Sequence, residues 1–203
     1  RIIRIIDHIT GRDTSIDYND TGSVRTTKDP QSDQTLVAFL DLSDELLQQD
    51  VYAGIHTNVT GLIPTQRVLF LADNIQWLLD YETVQTIISQ FSAEGDLNQQ
   101  DVFSGLLEDV FGVTPVQTVV YSDNTRIIVD YPNGQTLVAV LDADGETIQQ
   151  DIYEGISTLL AELTLTHSVI TLPDSPEGLR QQLIQDHANQ KTVLATLDAS
   201  PGQ

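Results

Sequence analysis

A run of acidic residues in the second half of the chain provides the oxygen ligands that a hard cation prefers. Asp142 and Asp144 come close together with Gly145 directly after them, and Asp151 follows seven residues beyond Asp144. Calcium binds carboxylate and carbonyl oxygens, and a glycine allows the sharp turn that gathers such ligands around one ion. The spacing therefore predicts a calcium site at Asp142, Asp144 and Asp151, and calcium is the one cofactor that the sequence suggests.

The same acids also have a structural interpretation. Asp142 and Asp144 are residues that turn the chain and cap a helix, because a short carboxylate accepts backbone N–H groups. Asp151 would then lie in the first turn of a helix, where the helix dipole stabilises a negative charge by about 0.3 to 1 kcal/mol.

Other residues whose types could take part in catalysis do not form a catalytic set. The segment Asp20-Thr21-Gly22-Ser23 matches the core of the aspartic-protease signature, but no second copy is present to complete a pair of carboxylates, so a turn is the simpler interpretation. The four histidines show no zinc-ligand spacing; they are His8, His56, His167 and His187. Glycine-rich phosphate-binding motifs are absent from the sequence as well. We therefore expect that the protein is not an enzyme.

The charge balance excludes whole classes of partner. The 203 residues include 30 acids and 9 Lys or Arg, which gives a formal net charge of −21. Phosphate backbones and anionic lipid headgroups repel such a surface, so we expect no nucleic-acid binding. No apolar run approaches the roughly 18 to 20 residues of a membrane span, so we expect no membrane insertion either. Two environments suit the charge, the calcium-rich cell exterior and the high-salt medium of a halophile. The sequence has no Cys, so it has no disulfide framework.

An internal repeat of about 50 residues runs through the chain. A seven-residue motif occurs at 48–54, 99–105 and 149–155. It consists of Gln-Gln-Asp, an apolar residue, an aromatic residue, one variable residue and glycine. The array starts and stops within a repeat, which suggests a segment of a longer protein. The predicted divisions are a partial first repeat with a long loop insertion, three full repeats and a truncated further repeat; they comprise residues 1–33, 34–84 (repeat 1), 85–134 (repeat 2), 135–190 (repeat 3) and 191–203.

Each repeat is predicted to contain a strand, a helix and two further strands. Thr136 to Leu141 is a continuous β-branched and apolar run typical of a strand, whereas Ile148, Ile152 and Ile156 recur at helical spacing. The predicted fold class is α+β, a mixed α/β architecture of tandem strand-helix-strand-strand repeats in which the helices pack on the sheet. Asn58-Val59-Thr60 is a glycosylation sequon, but its position on the predicted helix argues against its use.

Three glycines and three aspartates recur at fixed positions in the predicted helices. A glycine inside a helix costs about 1 kcal/mol relative to Ala, so three copies indicate close packing of the helix on its neighbours, with a ligand cradle as the functional alternative. These structural repeat positions are Asp50, Gly54, Asp101, Gly105, Asp151 and Gly155. The extra residues between Tyr18 and Gln34 are expected to form a surface loop available for specific contact.

Stacked repeats with no catalytic cluster favour a mechanical role. We expect an extracellular or cell-surface structural or adhesive segment of a filament-forming protein. Its partners would be further copies of itself, or neighbouring repeats, joined through repeat stacking and strand edges. A ligand on another surface is an alternative partner. Two alternatives are a calcium-dependent binding module and an acidic soluble protein of a halophile.

Overall fold

The computed structural model describes residues 2–7, 9–172 and 180–197 as a succession of antiparallel β-strands. The predicted α+β fold class is wrong. Among the described residues, the one helical element is a single 3₁₀ turn at Leu160–Glu162. His8, residues 173–179 of repeat 3 and residues 198–203 of the truncated repeat lie outside the described residues.

The chain divides into two compact units. The first comprises residues 1–97 and 102–113, and the second comprises residues 98–101 and 114–203. Within each unit the strands pair in chain order as an antiparallel meander. The first unit contains β1 (Ile2–Ile6), β2 (Asp13–Asn19), β3 (Gly22–Asp29), β4 (Gln34–Leu40), β5 (Leu46–Ala53), β6 (Gln66–Leu71), β7 (Ile75–Asp80) and β8 (Gln85–Phe91). Strand β9 (Leu97–Ser104) contributes residues to both units. The second unit continues with β10 (Gln117–Ser122), β11 (Thr125–Asp130), β12 (Gln135–Leu141), β13 (Thr147–Glu154), β14 (Thr164–Leu172), β15 (Arg180–Asp186) and β16 (Lys191–Leu197).

The three segments predicted as helices begin as strands β5, β9 and β13. In β5 the stripe of helical spacing does not form a packed face, because Val51 is buried while Leu47 and Ile55 are exposed. Alternate residues face opposite sides of a strand, so Asp50 and Tyr52 share one face and Val51 lies on the other. Spacing of four residues fits both a strand and a helix, and strand pairing with β4 decided the outcome.

The recurring glycines end these strands and do not support packing inside helices. Gly54, Gly105 and Gly155 have φ angles of +83°, +95° and +106°. Residues with a Cβ rarely adopt these angles, and a Cβ on Gly155 would lie 2.7 Å from Leu163. The glycines therefore recur because the backbone has positive φ at the end of each strand, and not because a helix packs closely on its neighbours.

The segment between Tyr18 and Gln34 is a strand where a long loop was expected. Strand β3 occupies Gly22–Asp29 and pairs with β4 so that Asp29 lies opposite Gln34. Its last residue matches those of β7, β11 and β15, because each of these strands also ends in an aspartate opposite the first residue of the next strand. In all four hairpins the aspartate carboxylate accepts backbone N–H groups of the turn. Strand β3 is therefore the last strand of the partial first repeat.

A buried threonine holds the loop that follows each glycine. Thr35, Thr86 and Thr136 are 0% exposed. Each Oγ1 donates to the glycine carbonyl oxygen nineteen residues later at 2.9 Å. Each also accepts a backbone N–H two residues beyond that glycine, at 2.8, 2.8 and 3.3 Å. We call this arrangement the threonine clip; it satisfies backbone groups where the strand ladder stops.

We expect Thr86→Val to destabilise the protein by about 2 to 4 kcal/mol. The change keeps the shape of the side chain but leaves the Gly105 carbonyl and the Leu107 N–H without their partner. Urea denaturation measures the free energy of unfolding.

Two variants control for the change of side chain. Thr86→Ser keeps the hydroxyl and should lose about 1 kcal/mol or less, as expected for removal of one methyl group. Thr57→Val lies on the exposed loop and should be close to neutral. Equal losses for Thr86→Val and Thr57→Val would show that the clip contributes nothing.

Candidate functional site

The recurring aspartates Asp50, Asp101 and Asp151 occupy equivalent positions within strands β5, β9 and β13, and we call this set of three residues the aspartate row. In repeat 1, Asp50 of β5 faces Val37 of β4 on one side and Arg67 of β6 on the other. Its side chain is 3% exposed and that of Arg67 is 33% exposed. The Arg67 guanidinium donates to both carboxylate oxygens at 2.7 and 2.8 Å, and Gln48 Nε2 adds a bond at 2.9 Å. Asp50 is thus fully paired in the form that suits a buried carboxylate.

In repeat 2 a hydroxyl takes the place of the guanidinium. Thr118 Oγ1 donates to Asp101 Oδ1 at 2.5 Å, and Gln99 Nε2 donates to Asp101 Oδ2 at 2.9 Å. Tyr131 continues the cluster with its hydroxyl 3.4 Å from Thr118 Oγ1. Asp101 therefore keeps two hydrogen bonds, although none of these donors carries a positive charge.

In repeat 3 the carboxylate has one oxygen without a partner. Asp151 of β13 lies opposite Ser168 of β14. Gln149 Nε2 donates to Asp151 Oδ2 at 2.9 Å, whereas the buried Oδ1 has no hydrogen bond. Ser168 Oγ is instead bonded to His187 Nε2 at 2.9 Å. Among the described residues, buried side-chain atoms without a partner comprise Asp151 Oδ1 and Ser23 Oγ.

Burial and the row's negative charge act on two neighbouring tyrosines. Burial raises the pKa of Tyr52, and the adjacent Asp50 carboxylate raises the pKa further. Tyr153 shows the same effect, with burial first and the Asp151 charge second as causes of its raised pKa. Both tyrosines therefore stay protonated well into the alkaline range.

The residues predicted to bind calcium fall in two different places. Asp142 Oδ1 accepts the backbone N–H groups of Asp144 and Glu146, both at 2.9 Å, and so closes the turn between β12 and β13. Asp151 lies four residues beyond Thr147, about 13 Å along the strand. No group of three or more His, Cys, Asp or Glu residues in the described part of the chain is arranged to hold a metal. Calcium binding stays a prediction of the sequence.

The turn at Asp142 has equivalents that explain its composition. Asp41 Oδ1 accepts the N–H groups of Ser43 and Glu45 in repeat 1, at 2.7 and 2.9 Å. Ser92 Oγ accepts two N–H groups at the same place in repeat 2. A serine, which is a weak calcium ligand, performs the same turn-closing task, so turn geometry accounts for a short polar side chain here.

Ser168 and His187 have the spacing of a nucleophile and its base, but not the access. The 2.9 Å bond between Ser168 Oγ and His187 Nε2 is within the range of such pairs. Ser168 is only 4% exposed, so a substrate would have to displace its cover to reach Oγ. The protease-like word is also placed in a turn, because Asn19 pairs with Gly22 and leaves Asp20 and Thr21 as the hairpin turn between β2 and β3.

Sequence reasoning placed the aspartate row in helices and missed its partners. Each aspartate lies within a strand and accepts a hydrogen bond from a glutamine of the same strand. In repeats 1 and 2 a side chain of the next strand adds a further contact. Arg67, Thr118 and Ser168 occupy equivalent positions but differ in residue type, so the sequence repeat did not reveal them. The clip threonines did recur, in the Gln-Thr words at 34–35, 85–86 and 135–136, and a polar residue inside an apolar strand was a usable signal.

Ion pairs reinforce the first strands. Arg12 donates to Asp29 at 2.7 and 3.0 Å, and Arg4 donates to both oxygens of Asp13. The hydrogen bond from Arg12 lowers the pKa of Asp29, against an opposing effect of desolvation, and Arg4 acts in the same way on Asp13.

No protein-family model matches the chain, and no curated protein is significantly similar to it. In the described residues, no helix is long and apolar enough to cross a membrane.

We expect Arg67→Ser, which copies the residue of repeat 3, to destabilise the protein by about 3 to 5 kcal/mol. The substitution removes the cation from a carboxylate that is 3% exposed and leaves that charge buried without its partner. Chemical denaturation of the variant and the parent measures the difference.

The reciprocal change Ser168→Arg is the matched test. Arginine at that position can supply the missing donors to Asp151, so this variant should be destabilised far less than Arg67→Ser, or be stabilised. If both variants lost the same free energy, the ion pair would not be what distinguishes the two repeats.

The contribution of Asp29 to stability should depend on pH in a defined direction. Its pKa is lowered in the folded protein, so its stabilising effect is present above the unfolded value near 3.8 and is lost as pH falls through the folded pKa. The difference in unfolding free energy between the parent and Asp29→Asn should therefore be constant near pH 6 and shrink below about pH 4. The same comparison in an Arg12→Gln background should change less with pH, because the hydrogen bond from Arg12 is the largest cause of the lowered pKa of Asp29.

Proposed function

We propose that the chain is an extracellular structural or adhesive repeat segment that assembles with further copies through its loops and strand edges. The observation that carries the proposal is the threonine clip, which recurs with the same hydrogen bonds in three repeats. Selection for a scaffold keeps such internal contacts while exposed positions vary, as the loops after β5, β9 and β13 do.

The buried polar groups support this role because they serve the sheet itself. Asp50 and Asp101 are bonded across strands, and the hairpin aspartates bond their own turns. Such side chains hold strands and turns together, which is the role that a scaffold of repeated units requires.

The exposed loops carry apolar side chains that suit contact between copies. Ile63 is 77% exposed, Phe111 is 94% exposed and Leu159 is 64% exposed. Exposed apolar side chains in a chain of net charge −21 are candidates for association, since contact between copies removes them from water. Further apolar side chains on these loops are also exposed: Ile55, Leu62, Leu106, Val113 and Ile156.

The acidic surface sets the condition for assembly. Copies of charge −21 repel one another, and salt shortens the range of that repulsion to about 8 Å at physiological ionic strength. The same charge limits nonspecific aggregation. Extracellular fluids of moderate or high salt would therefore favour contact through the loops.

We expect the purified chain to associate reversibly as its concentration rises, and more strongly at higher salt. Sedimentation velocity measures the size distribution, and electron microscopy shows whether the products are linear. Phe111→Ser should weaken association because it removes the most exposed aromatic side chain. Leu42→Ser, at an exposed position on the turn before β5, is the matched control and should have little effect.

The remaining outcomes separate the alternatives. A chain that stays monomeric at its highest soluble concentration would contradict assembly. Association or melting that depends on calcium and is reversed by a chelator would favour the calcium-dependent module. Folding that requires molar sodium chloride would favour the halophile.

A further inference from the structure

The loops after β5 and β9 share one backbone conformation. Both begin at a glycine with positive φ, and a second such glycine follows seven residues later, at Gly61 and Gly112. A turn closes each loop through backbone bonds of 3.0 Å, from Leu62 to Val59 in one and from Val113 to Val110 in the other.

The two loops differ in what they present to solvent. Asn58 and Thr60 occupy the places held by Asp109 and Phe111 in the other loop. All four are exposed, and Phe111 is 94% exposed. Repeat 1 therefore has the sequon Asn58-Val59-Thr60 at the positions where repeat 2 has an acid and a large aromatic residue.

The sequon lies on an exposed loop and not on a helix. This removes the argument against its use, since a helical asparagine is held by its backbone ladder whereas a loop can enter an enzyme's groove. Asn58 Oδ1 accepts the N–H of Thr60 at 2.8 Å, which folds the sequon into a turn. Its Nδ2 atom has no hydrogen-bond partner among the described residues.

Asp109 shows that the turn requires a side-chain oxygen but not an amide nitrogen. Asp109 Oδ1 accepts the N–H of Phe111 at 2.9 Å, so a carboxylate maintains the same turn. The turn requires only a side-chain oxygen. The amide nitrogen of Asn58 and the hydroxyl of Thr60 are the features that set this loop apart.

We propose that Asn58 is an N-glycosylation site whose donor is a lipid-pyrophosphate-linked oligosaccharide. The Asn58 Nδ2 atom forms a bond to the anomeric carbon of the first sugar while the carbon–oxygen bond to the pyrophosphate breaks. The pyrophosphate leaves with the electron pair, and Nδ2 loses one proton. The Asn-x-Thr pattern is the acceptor sequence for this transfer.

A glycan at Asn58 would change the surface of its loop. Leu62 and Ile63 on the same loop are 43% and 77% exposed, and a bulky hydrophilic group beside them would shield that apolar surface. The loop of repeat 2 would keep Phe111 available for contact. The proposal rests on the extracellular placement proposed above, since this modification occurs on proteins that enter a secretory route.

The experiment secretes the chain from a eukaryotic host and measures its intact mass before and after treatment with peptide N-glycosidase. A second sequon, Asn19-Asp20-Thr21, lies at the hairpin turn between β2 and β3. All variants are therefore made together with Asn19→Gln, so that any glycan is counted at one site. We expect one glycan on this background, and conversion of Asn58 to Asp by the enzyme.

Variants that copy the repeat 2 loop should remove the glycan without disturbing the turn. Asn58→Asp keeps the Oδ1 acceptor and removes the amide nitrogen, and Thr60→Phe introduces the residue found at Phe111. Conversely, Asp109→Asn combined with Phe111→Thr should create a second glycan, because the two loops share their conformation and exposure.

The outcomes are decisive either way. A folded, secreted Asn19→Gln protein without a glycan would overturn the proposal, as would a glycan that persists in Asn58→Asp. Assembly is measured separately on unglycosylated protein from a bacterial cytosol, so a failed glycosylation test and a failed assembly test are distinguishable.

Discussion

The structure depends on satisfying backbone hydrogen-bonding groups at the places where an antiparallel ladder stops. Within each unit the strands satisfy one another, but a loop of about ten residues leaves donors and acceptors at its base without ladder partners. The buried threonines at 35, 86 and 136 meet this need with one hydroxyl, which donates to a glycine carbonyl and accepts an N–H beyond it. The glycine must accompany the threonine because the chain turns there with positive φ. These two residues explain why the repeats keep a Gln-Thr word and a glycine nineteen residues after the threonine.

The aspartate row shows how the same position within a repeat accepts different partners. A buried carboxylate requires donors, and the strand opposite supplies a guanidinium in repeat 1 and a hydroxyl in repeat 2. In repeat 3 the opposite serine bonds a histidine and leaves one carboxylate oxygen unpaired. The glutamine two residues before each aspartate donates to its carboxylate in all three repeats and is the constant part of the arrangement. Gln-Gln-Asp recurs because its first glutamine and its aspartate form a pair on the same face of one strand, two residues apart.

The loops are where the repeats diverge and where association and modification are proposed. Loops 54–65 and 105–116 have the same turns, yet one presents an Asn-x-Thr sequon and the other presents an exposed phenylalanine. A conserved backbone with divergent exposed side chains is the usual way in which a scaffold acquires separate surface properties. Because the clip anchors the base of each loop, its exposed residues can change at little cost to the strands beneath.

The sequence by itself determined the repeat, its length and the positions that matter within it. Asp50, Gly54 and their equivalents recur in the sequence, and the composition around Asp142 is typical of a turn. The secondary structure was not determined locally, because residues such as Leu47, Val51 and Ile55 fit a helix spacing as well as a strand. Only the tertiary structure decided between them: pairing of β5 with β4 and of β13 with β12 supplied partners for the backbone, and each strand ends at a glycine with positive φ. It also decided which cross-strand side chain bonds an aspartate: Arg67 and Thr118 do so in repeats 1 and 2, whereas Ser168 bonds His187 in repeat 3, and these three residues share no sequence pattern.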